Sequence, residues 1–175
     1  MQRLPRSRLL LVANVGPKPE QRLRDAFAGH GIEADRIAFV GRQGGADYFR
    51  LYHRVDLMLD PFPYTGLYTT ADSLWMGAPV ITLEGSTYVT RQAASLLNQV
   101  GLHDLIARTP DEYVAAAIRL AENLPRLKEL RATLRERLRG SPLMNPERFT
   151  RQLEEAYRWM WRQWCSRAPA SRGAQ

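Results

Sequence analysis

The sequence predicts an α/β fold, with a parallel sheet that carries helices on both faces and a group of helices at the C-terminal end. Two observations lead to this prediction. Short apolar runs alternate with helix-periodic segments over the first 108 residues, as in βαβ units. The chain has 175 residues, of which 45% are hydrophobic, and this is enough apolar material for the core of one domain.

The predicted strands are short apolar runs bounded by polar or turn-forming residues. They cover residues 9–13, 36–40, 56–60, 79–83 and, as a short fifth strand, 105–107. The first run follows basic residues, as in a signal peptide, but it meets Asn14 after five residues and no small-residue cleavage pattern follows. We therefore expect a buried strand there and a cytoplasmic protein. The apolar runs are also too short to span a membrane.

The predicted helices between these strands begin and end at recognisable signals. They cover residues 19–30, 46–54, 69–77 and 87–100. Glycines stand at or just after three of the four ends, as Gly31, Gly77 and Gly101. Glycine is favoured after a helix because it adopts the left-handed conformation that ends one.

From Thr109 onwards the chain is predicted to be helical. Thr109 and the following Pro-Asp-Glu combine an N-cap, a first-position proline and an acidic first turn. Pro125 should break or kink this helix. The next helix carries an apolar stripe formed by Leu127, Leu130, Leu134 and Leu138. The last helix starts near Asn145 and aligns Phe149, Leu153, Tyr157, Met160 and Trp164 on a face that we expect to be buried.

The net charge of +7 comes from the C-terminal third of the chain. Residues 1–118 contain 12 basic and 12 acidic residues, whereas residues 119–175 contain 13 basic and 6 acidic ones. A basic segment suggests nucleic-acid binding, but amphipathic helices also place arginines on their solvated face. The helical spacing favours the second interpretation.

The cysteine and histidine content excludes several kinds of site. A single cysteine, Cys165, excludes a disulfide framework and an all-cysteine zinc site. His30, His53 and His103 are scattered, without zinc-ligand spacing. We predict no metal site and no catalytic residue in this chain.

The most informative segment is DPFPYTGLYTTADSLW, residues 60–75, where a strand ends, a Pro/Gly loop turns and a helix begins. Ligands of open α/β sheets bind at the carboxyl ends of strands, and a helix N-terminus attracts phosphate. Thr69 and Thr70 would add hydroxyl donors, and Asp72 would reach a ribose diol. Alternatively, Thr69 and Asp72 form only a capping box. The local pattern leaves both interpretations open.

A second candidate is the loop GRQGG, residues 41–45, together with the helix after it. Its glycines lack dinucleotide-fingerprint spacing, so a simple glycine-rich turn is one interpretation. Close approach of the loop backbone, residues 41–45, to a nucleotide base is the other. Tyr48 would either stack on that base or pack against the sheet edge.

Several longer motifs carry a family resemblance. They are DLMLDPFPYTG, TTADSLWMGAPVITLEG, TRQAASLLNQVGLHDLIA, DEYVAAAIRLA and RGSPLMNPERFTRQLEEAYRWMW. The chain resembles the C-terminal catalytic half of the O-linked N-acetylglucosamine transferases and their bacterial tetratricopeptide-linked relatives, including Spindly-type enzymes. The resemblance implies a Rossmann-like lobe of a GT-B glycosyltransferase spanning residues 1–167, with its core at about 8–108, helices at about 109–165 and a flexible tail at 168–175.

The resemblance also implies roles for individual residues. Asp72 matches the ribose-binding acid, and Thr69 a threonine at the diphosphate. Thr70 extends that threonine run, after the turn at Gly66. Gln43 matches a residue whose backbone meets the base, and Tyr48 matches a base-stacking histidine.

Other positions depart from the family pattern. Leu67 and Tyr68 replace small or polar residues just before the helix, and Gly45 and Leu51 replace a lysine and an arginine that touch the nucleoside. The family's diphosphate-contacting lysine, its N-terminal catalytic lobe and its repeats would lie upstream of this sequence.

The family implies inverting, metal-independent transfer of a sugar such as N-acetylglucosamine to Ser/Thr. The donor would be a UDP-sugar or a GDP-sugar, no further cofactor is implied, and the protein acceptor would be bound through the upstream parts. We therefore expect a nucleotide-sugar-binding lobe that is inactive alone. The alternative is a non-catalytic binding module of the same fold, which the bulky Leu67 and Tyr68 favour. A basic protein associated with nucleic acid is a third and weaker hypothesis.

Overall fold

The computed structural model describes residues 1–12 and 16–167 as an alternation of parallel strands and helices. The strands are β1 (Leu9–Val12), β2 (Ile37–Val40), β3 (Met58–Leu59), β4 (Val80–Leu83) and β5 (Ile106–Ala107). The helices are α1 (Pro17–Ala28), α2 (Gly45–Leu51), α3 (Tyr68–Trp75), α4 (Gln92–Gln99), α5 (Pro110–Glu122), α6 (Leu124–Arg139) and α7 (Pro146–Arg167). The predicted α/β class is confirmed. The expected tail, 168–175, lies outside the described residues.

The described strands form two parallel sheets, where we expected one. In the first, β1 pairs with β2, with Leu9 opposite Ile37. In the second, β4 lies between β3 and β5, with Met58 opposite Val80. Among the described residues, β1 and β3 each pair with a single strand, and no pairing joins the two sheets. The two-residue strand β3 bonds to β4 through the N–H groups of Met58 and Asp60.

The core surrounds β4, whose Val80 and Ile81 are fully buried. Side chains from four helices pack over this strand, among them Leu74 of α3, Leu97 of α4, Leu120 of α5 and Leu130, Leu134 and Leu138 of α6. The apolar stripe predicted for α6 is therefore confirmed as core. This packing makes the second sheet the rigid platform from which the candidate site is built.

Glycine is required where α3 meets α6. Gly77 has a φ of +83°, a left-handed conformation that L residues rarely adopt. A Cβ at this position would also lie 2.7 Å from the Arg131 carbonyl oxygen. The left-handed conformation ends α3, as its sequence predicts, and the close approach of α6 leaves no room for a side chain.

Side-chain caps begin two helices of the C-terminal part. Thr109 is the predicted cap of α5, whereas Asn123, the cap of α6, was not predicted. Thr109 Oγ1 accepts the Glu112 N–H at 3.2 Å, and Asn123 Oδ1 accepts the Arg126 N–H at 3.0 Å. Pro125 therefore lies in the first turn of α6, where its missing N–H is tolerated, and the chain breaks into α5 and α6 just before it.

The expected burial of the last helix is wrong. All of the described side chains of α7 are exposed, including the face formed by Phe149, Leu153, Tyr157, Met160 and Trp164. Its principal contacts are with the turn Pro142–Met144 at its own start. Helical periodicity identifies an apolar face, but it does not provide a surface for that face to pack against. No helix among the described residues is long and apolar enough to cross a membrane.

Truncating the exposed face of α7 should leave stability almost unchanged. Trp164 is 70% exposed, so we expect Trp164→Ala to change the free energy of unfolding by less than about 0.5 kcal/mol. A fully buried tryptophan would cost roughly 3 kcal/mol or more. Denaturant unfolding of the 175-residue chain followed by circular dichroism measures the difference. A loss near the larger value would mean that the ring is buried in solution.

Candidate functional site

The candidate site lies where β3 ends and a turn leads into α3. Asp60, the first residue after β3, is only 1% exposed and organises this turn. Its Oδ1 accepts the Gly66 N–H at 2.8 Å, and its Oδ2 accepts the Thr82 hydroxyl at 2.7 Å. Its carbonyl oxygen accepts the Tyr113 hydroxyl at 2.9 Å. One buried residue therefore ties the turn to β4 and α5.

Burial raises the pKa of the Asp60 carboxyl, and the hydrogen bonds from Gly66 and Thr82 oppose that shift. Burial penalises the charged form of a carboxyl, whereas N–H and O–H donors stabilise it. The direction of the shift indicates that burial outweighs the two donors. Asp60 is held inside the protein, and its hydrogen bonds fix the turn.

The turn is closely packed at Gly66. A Cβ there would clash with Thr69 Oγ1 and would lie 2.9 Å from Thr70 Oγ1. The buried Thr70 donates its hydroxyl to the Gly66 carbonyl oxygen at 3.1 Å. Thr65, also buried, donates to the Val89 carbonyl oxygen at 2.7 Å. The hydroxyl of Thr70 thus supports the turn, while the side chain of Thr69 is exposed to solvent.

Helix α3 begins at Tyr68, one residue before the predicted start, and its N-cap, Leu67, makes no side-chain capping bond. The capping box considered for Thr69 and Asp72 is therefore absent. The N–H groups of a helix's first turn have no partner within the helix, and they carry the positive end of its dipole. This start faces outward beside the exposed Thr69.

Asp72 is bonded to α2 instead. Its Oδ2 accepts the Tyr48 hydroxyl at 2.9 Å, and Tyr48 Oη lies 2.7 Å from Tyr52 Oη. The two tyrosine rings meet edge to face, with centroids 5.5 Å apart. Burial, followed by the hydrogen bonds with Tyr52 and Asp72, raises the pKa of Tyr48 well above its ordinary value. The phenol therefore stays protonated at neutral pH.

The structure brings five of the six predicted site residues together around the start of α3. They are Tyr48, Gly66, Thr69, Thr70 and Asp72. Tyr48 bonds to Asp72 of α3, and Gly66 packs against Thr69 and Thr70 at the start of the same helix. Gln43 lies in the exposed loop before α2, where its amide donates to the Gly41 carbonyl oxygen at 3.1 Å. This hydrogen bond stays within the loop itself.

An open cavity of about 410 Å³ borders Asp72. Its other lining residues are Phe49, Trp75, Met76 and Met144. A carboxylate at the edge of an apolar cavity suits a ligand that has both hydroxyl groups and a flat apolar part. Among the described residues, no group of three or more His, Cys, Asp or Glu could hold a metal ion.

Asp60 and Tyr52 belong to this arrangement but were not among the site residues predicted from the sequence. Asp60 lies at the end of the third predicted strand, and an acid six residues before a turn glycine could have suggested a carboxylate that receives the glycine N–H. Tyr52 carried a weaker signal, its spacing of four residues from Tyr48, which places the two side chains on the same face of a helix.

Comparison with known proteins gives a consistent result. A model of glycosyl transferase family 41 matches residues 1–153. A probable UDP-N-acetylglucosamine–peptide N-acetylglucosaminyltransferase SPINDLY of Solanum lycopersicum is 46% identical over 119 residues, 68% of this chain and 13% of that protein. A probable enzyme of the same description, SEC of Arabidopsis thaliana, is 34% identical over 167 residues, 95% of this chain and 17% of that protein.

A solved structure is also similar. It is a mutant of the O-GlcNAc transferase of Thermobaculum terrenum, with a TM-score of 0.85 and 39% sequence identity. The match covers 95% of this chain and 32% of that one. The chain therefore spans a third or less of the length of each of these three proteins.

Proposed function

The chain belongs to glycosyl transferase family 41, and on that basis we propose that residues 1–167 form the nucleotide-sugar-binding lobe of a protein O-glycosyltransferase. The lobe would be one of the two lobes of a GT-B enzyme that transfers a sugar such as N-acetylglucosamine to Ser/Thr, with inversion and without a metal. The observation that carries the proposal is the outward-facing start of α3, beside the Asp72 carboxylate, which is held by the Tyr48 hydroxyl.

The diphosphate of the donor would bind at the start of α3. The first-turn N–H groups and the helix dipole favour an anion there, and the exposed Thr69 hydroxyl adds a donor. Gly66 keeps side-chain atoms out of the turn. Thr70 would contribute its backbone N–H, because its hydroxyl is already bonded to the Gly66 carbonyl oxygen.

The nucleoside would lie between α3 and α2. Asp72 would accept hydrogen bonds from the ribose hydroxyl groups, and the ring of Tyr48 would contact the base. Backbone groups of Gln43 would approach the base from the loop before α2. Because backbone contacts discriminate weakly between bases, the donor would be a UDP-sugar or, as the alternative, a GDP-sugar.

The chemical role of this lobe would be to stabilise the departing nucleoside diphosphate. Negative charge grows on the diphosphate as the sugar–phosphate bond breaks, and preorganised N–H donors at a helix start lower the energy of that state. The protein acceptor must be aligned with the sugar by other parts of a longer enzyme. We therefore expect no sugar transfer by the 175-residue chain alone. We also propose that the protein is cytoplasmic.

Asp72→Asn tests the nucleotide site. The amide keeps the shape of the side chain but removes a charged acceptor, so affinity for UDP or GDP should fall by roughly 1.5–3 kcal/mol. Calorimetric or NMR titration with each nucleotide at millimolar concentration gives the measurement. Asp56→Asn, at an exposed acid before β3, is the control and should bind as the wild type does. Equal affinity of wild type and Asp72→Asn would remove Asp72 from the site.

A non-catalytic binding module is the second candidate function. The observation in its favour is Tyr68, a large residue at the first position of α3, where phosphate would have to approach. Wild-type protein that binds neither UDP nor GDP at millimolar concentration would favour this candidate.

The positive charge of α6 does not by itself indicate a nucleic-acid partner. Arg131 donates to the carbonyl oxygens of Val55 and Tyr52, at 2.8 and 3.0 Å, and Arg135 donates to that of Trp75 at 2.8 Å. These arginines connect α6 to neighbouring elements, so part of the basic excess has a structural role.

A further inference from the structure

We propose that Tyr48 and Tyr52 are positioning residues that hold the Asp72 carboxylate in place for a ribose diol, and that they make the site selective for ribonucleotides. The proposal rests on the nucleotide-binding function proposed above and adds the means by which the sugar would be recognised. It concerns the hydroxyl groups of the two tyrosines, whereas the ring of Tyr48 would serve the base.

The hydrogen-bond chain has one consistent direction. A carboxylate only accepts, so Tyr48 Oη donates to Asp72 Oδ2 across 2.9 Å. Each tyrosine has one hydroxyl proton, and therefore Tyr52 must donate in the 2.7 Å bond to Tyr48. The other acceptor near Tyr52, the Thr69 carbonyl oxygen, is more distant at 3.4 Å. The order is thus Tyr52 to Tyr48 to Asp72.

The far end of this chain is firmly anchored. Tyr52 is 8% exposed, and Arg131 of α6 donates to its carbonyl oxygen at 3.0 Å and to that of Val55 at 2.8 Å. A hydroxyl that accepts a hydrogen bond becomes a stronger donor in its turn. Tyr48 is consequently a fixed and polarised donor, and its burial raises its pKa, which keeps its proton in place.

The arrangement leaves one carboxylate oxygen for a ligand. Tyr48 occupies Oδ2 of Asp72, and the structure gives no partner for Oδ1 among the described residues. With Oδ2 held, rotation of the carboxylate is restricted before a ligand arrives, which lowers the entropy cost of binding. A site built to receive a hydroxyl discriminates strongly against an analogue that lacks it, because its polar group is then left unpaired.

The test compares UDP with 2′,3′-dideoxy-UDP, and GDP with its dideoxy form, as ligands of the 175-residue chain in NMR titrations. We expect the wild type to prefer the ribonucleotide by about tenfold or more. Tyr48→Phe and Tyr52→Phe keep the rings and remove the hydroxyl groups, so this preference should fall to about threefold or less. Tyr157→Phe, which removes a tyrosine hydroxyl from the exposed face of α7, is the control whose preference should stay at the wild-type ratio.

The outcomes separate this inference from the proposed function. If the wild type and Tyr48→Phe prefer the ribonucleotide over the dideoxynucleotide equally, the inference is overturned and the proposed nucleotide binding still stands. The inference is also overturned if the tyrosine variants lose affinity equally for the ribonucleotide and the dideoxynucleotide, because a purely structural role of the tyrosines predicts that result. A wild type that binds ribonucleotide and dideoxynucleotide alike overturns the diol role, and one that binds neither overturns the proposed function as well. If Tyr52→Phe does not fold, Tyr48→Phe decides the question.

Discussion

Replacing Leu134 with alanine should destabilise the protein by about 3–5 kcal/mol. Leu134 is 0% exposed and lies in the core cluster that covers β4, together with Leu74 and Leu97. Truncation removes apolar contacts and leaves a cavity that the surrounding helices, fixed by the bonds of Arg131 and Arg135, can fill only in part. A domain of this size has a total stability of about 5–15 kcal/mol, so the loss would be a large fraction of it.

Denaturant unfolding of wild type and variant measures this loss. Leu124→Ala is the matched control, because Leu124 begins the same helix, α6, but is 61% exposed. It should change the free energy of unfolding by less than about 0.5 kcal/mol. Equal losses in the two variants would mean that the packing of α6 differs from the one described.

Replacing Asp60 with alanine should cost roughly 2–5 kcal/mol. The change leaves the Gly66 N–H and the Thr82 hydroxyl without their acceptor in the protein interior, and each unpaired group costs about 1–3 kcal/mol. The turn before α3 would also lose its attachment to β4, so the variant should bind nucleotide more weakly than its remaining folded fraction would predict. Thermal or denaturant unfolding, with nucleotide titration of the folded variant, measures both effects.

Asp60→Asn is the control that keeps the shape of the side chain. Because it removes the titrating carboxyl, it also tests how the stability depends on pH. Burial raises the pKa of Asp60, so the folded protein holds this proton more tightly than the unfolded chain does. The stability that this group contributes is complete below its ordinary pKa of about 3.9 and is lost as the pH rises through the folded-state pKa. The stability of wild type relative to Asp60→Asn should therefore decrease as pH rises through this range. An increase would contradict the direction of the shift.

The amino-acid sequence alone determined the local features of this protein. The alternation of apolar runs with helical segments located the five described strands and the helices between them to within about three residues, except that α4 begins at Gln92 and not at the predicted Thr87. The leucine spacing of α6 identified Leu130, Leu134 and Leu138 as core, because residues three or four apart share one face of a helix. The turn between residues 60 and 75 was identified as the candidate site because a strand end, a glycine turn and a helix start are adjacent in the sequence. All of these signals act over a few residues.

The tertiary structure decided what depends on residues far apart in the chain. The apolar pattern of α7 is real, but its exposure follows from the absence of a packing surface for it among the described residues. The bond between Tyr48 and Asp72 joins residues 24 positions apart, and the bond between Asp60 and Thr82 joins residues 22 apart. Periodicity and capping rules describe one element at a time. The partner of a buried carboxylate, or of a strand edge, is fixed only when separate elements pack together.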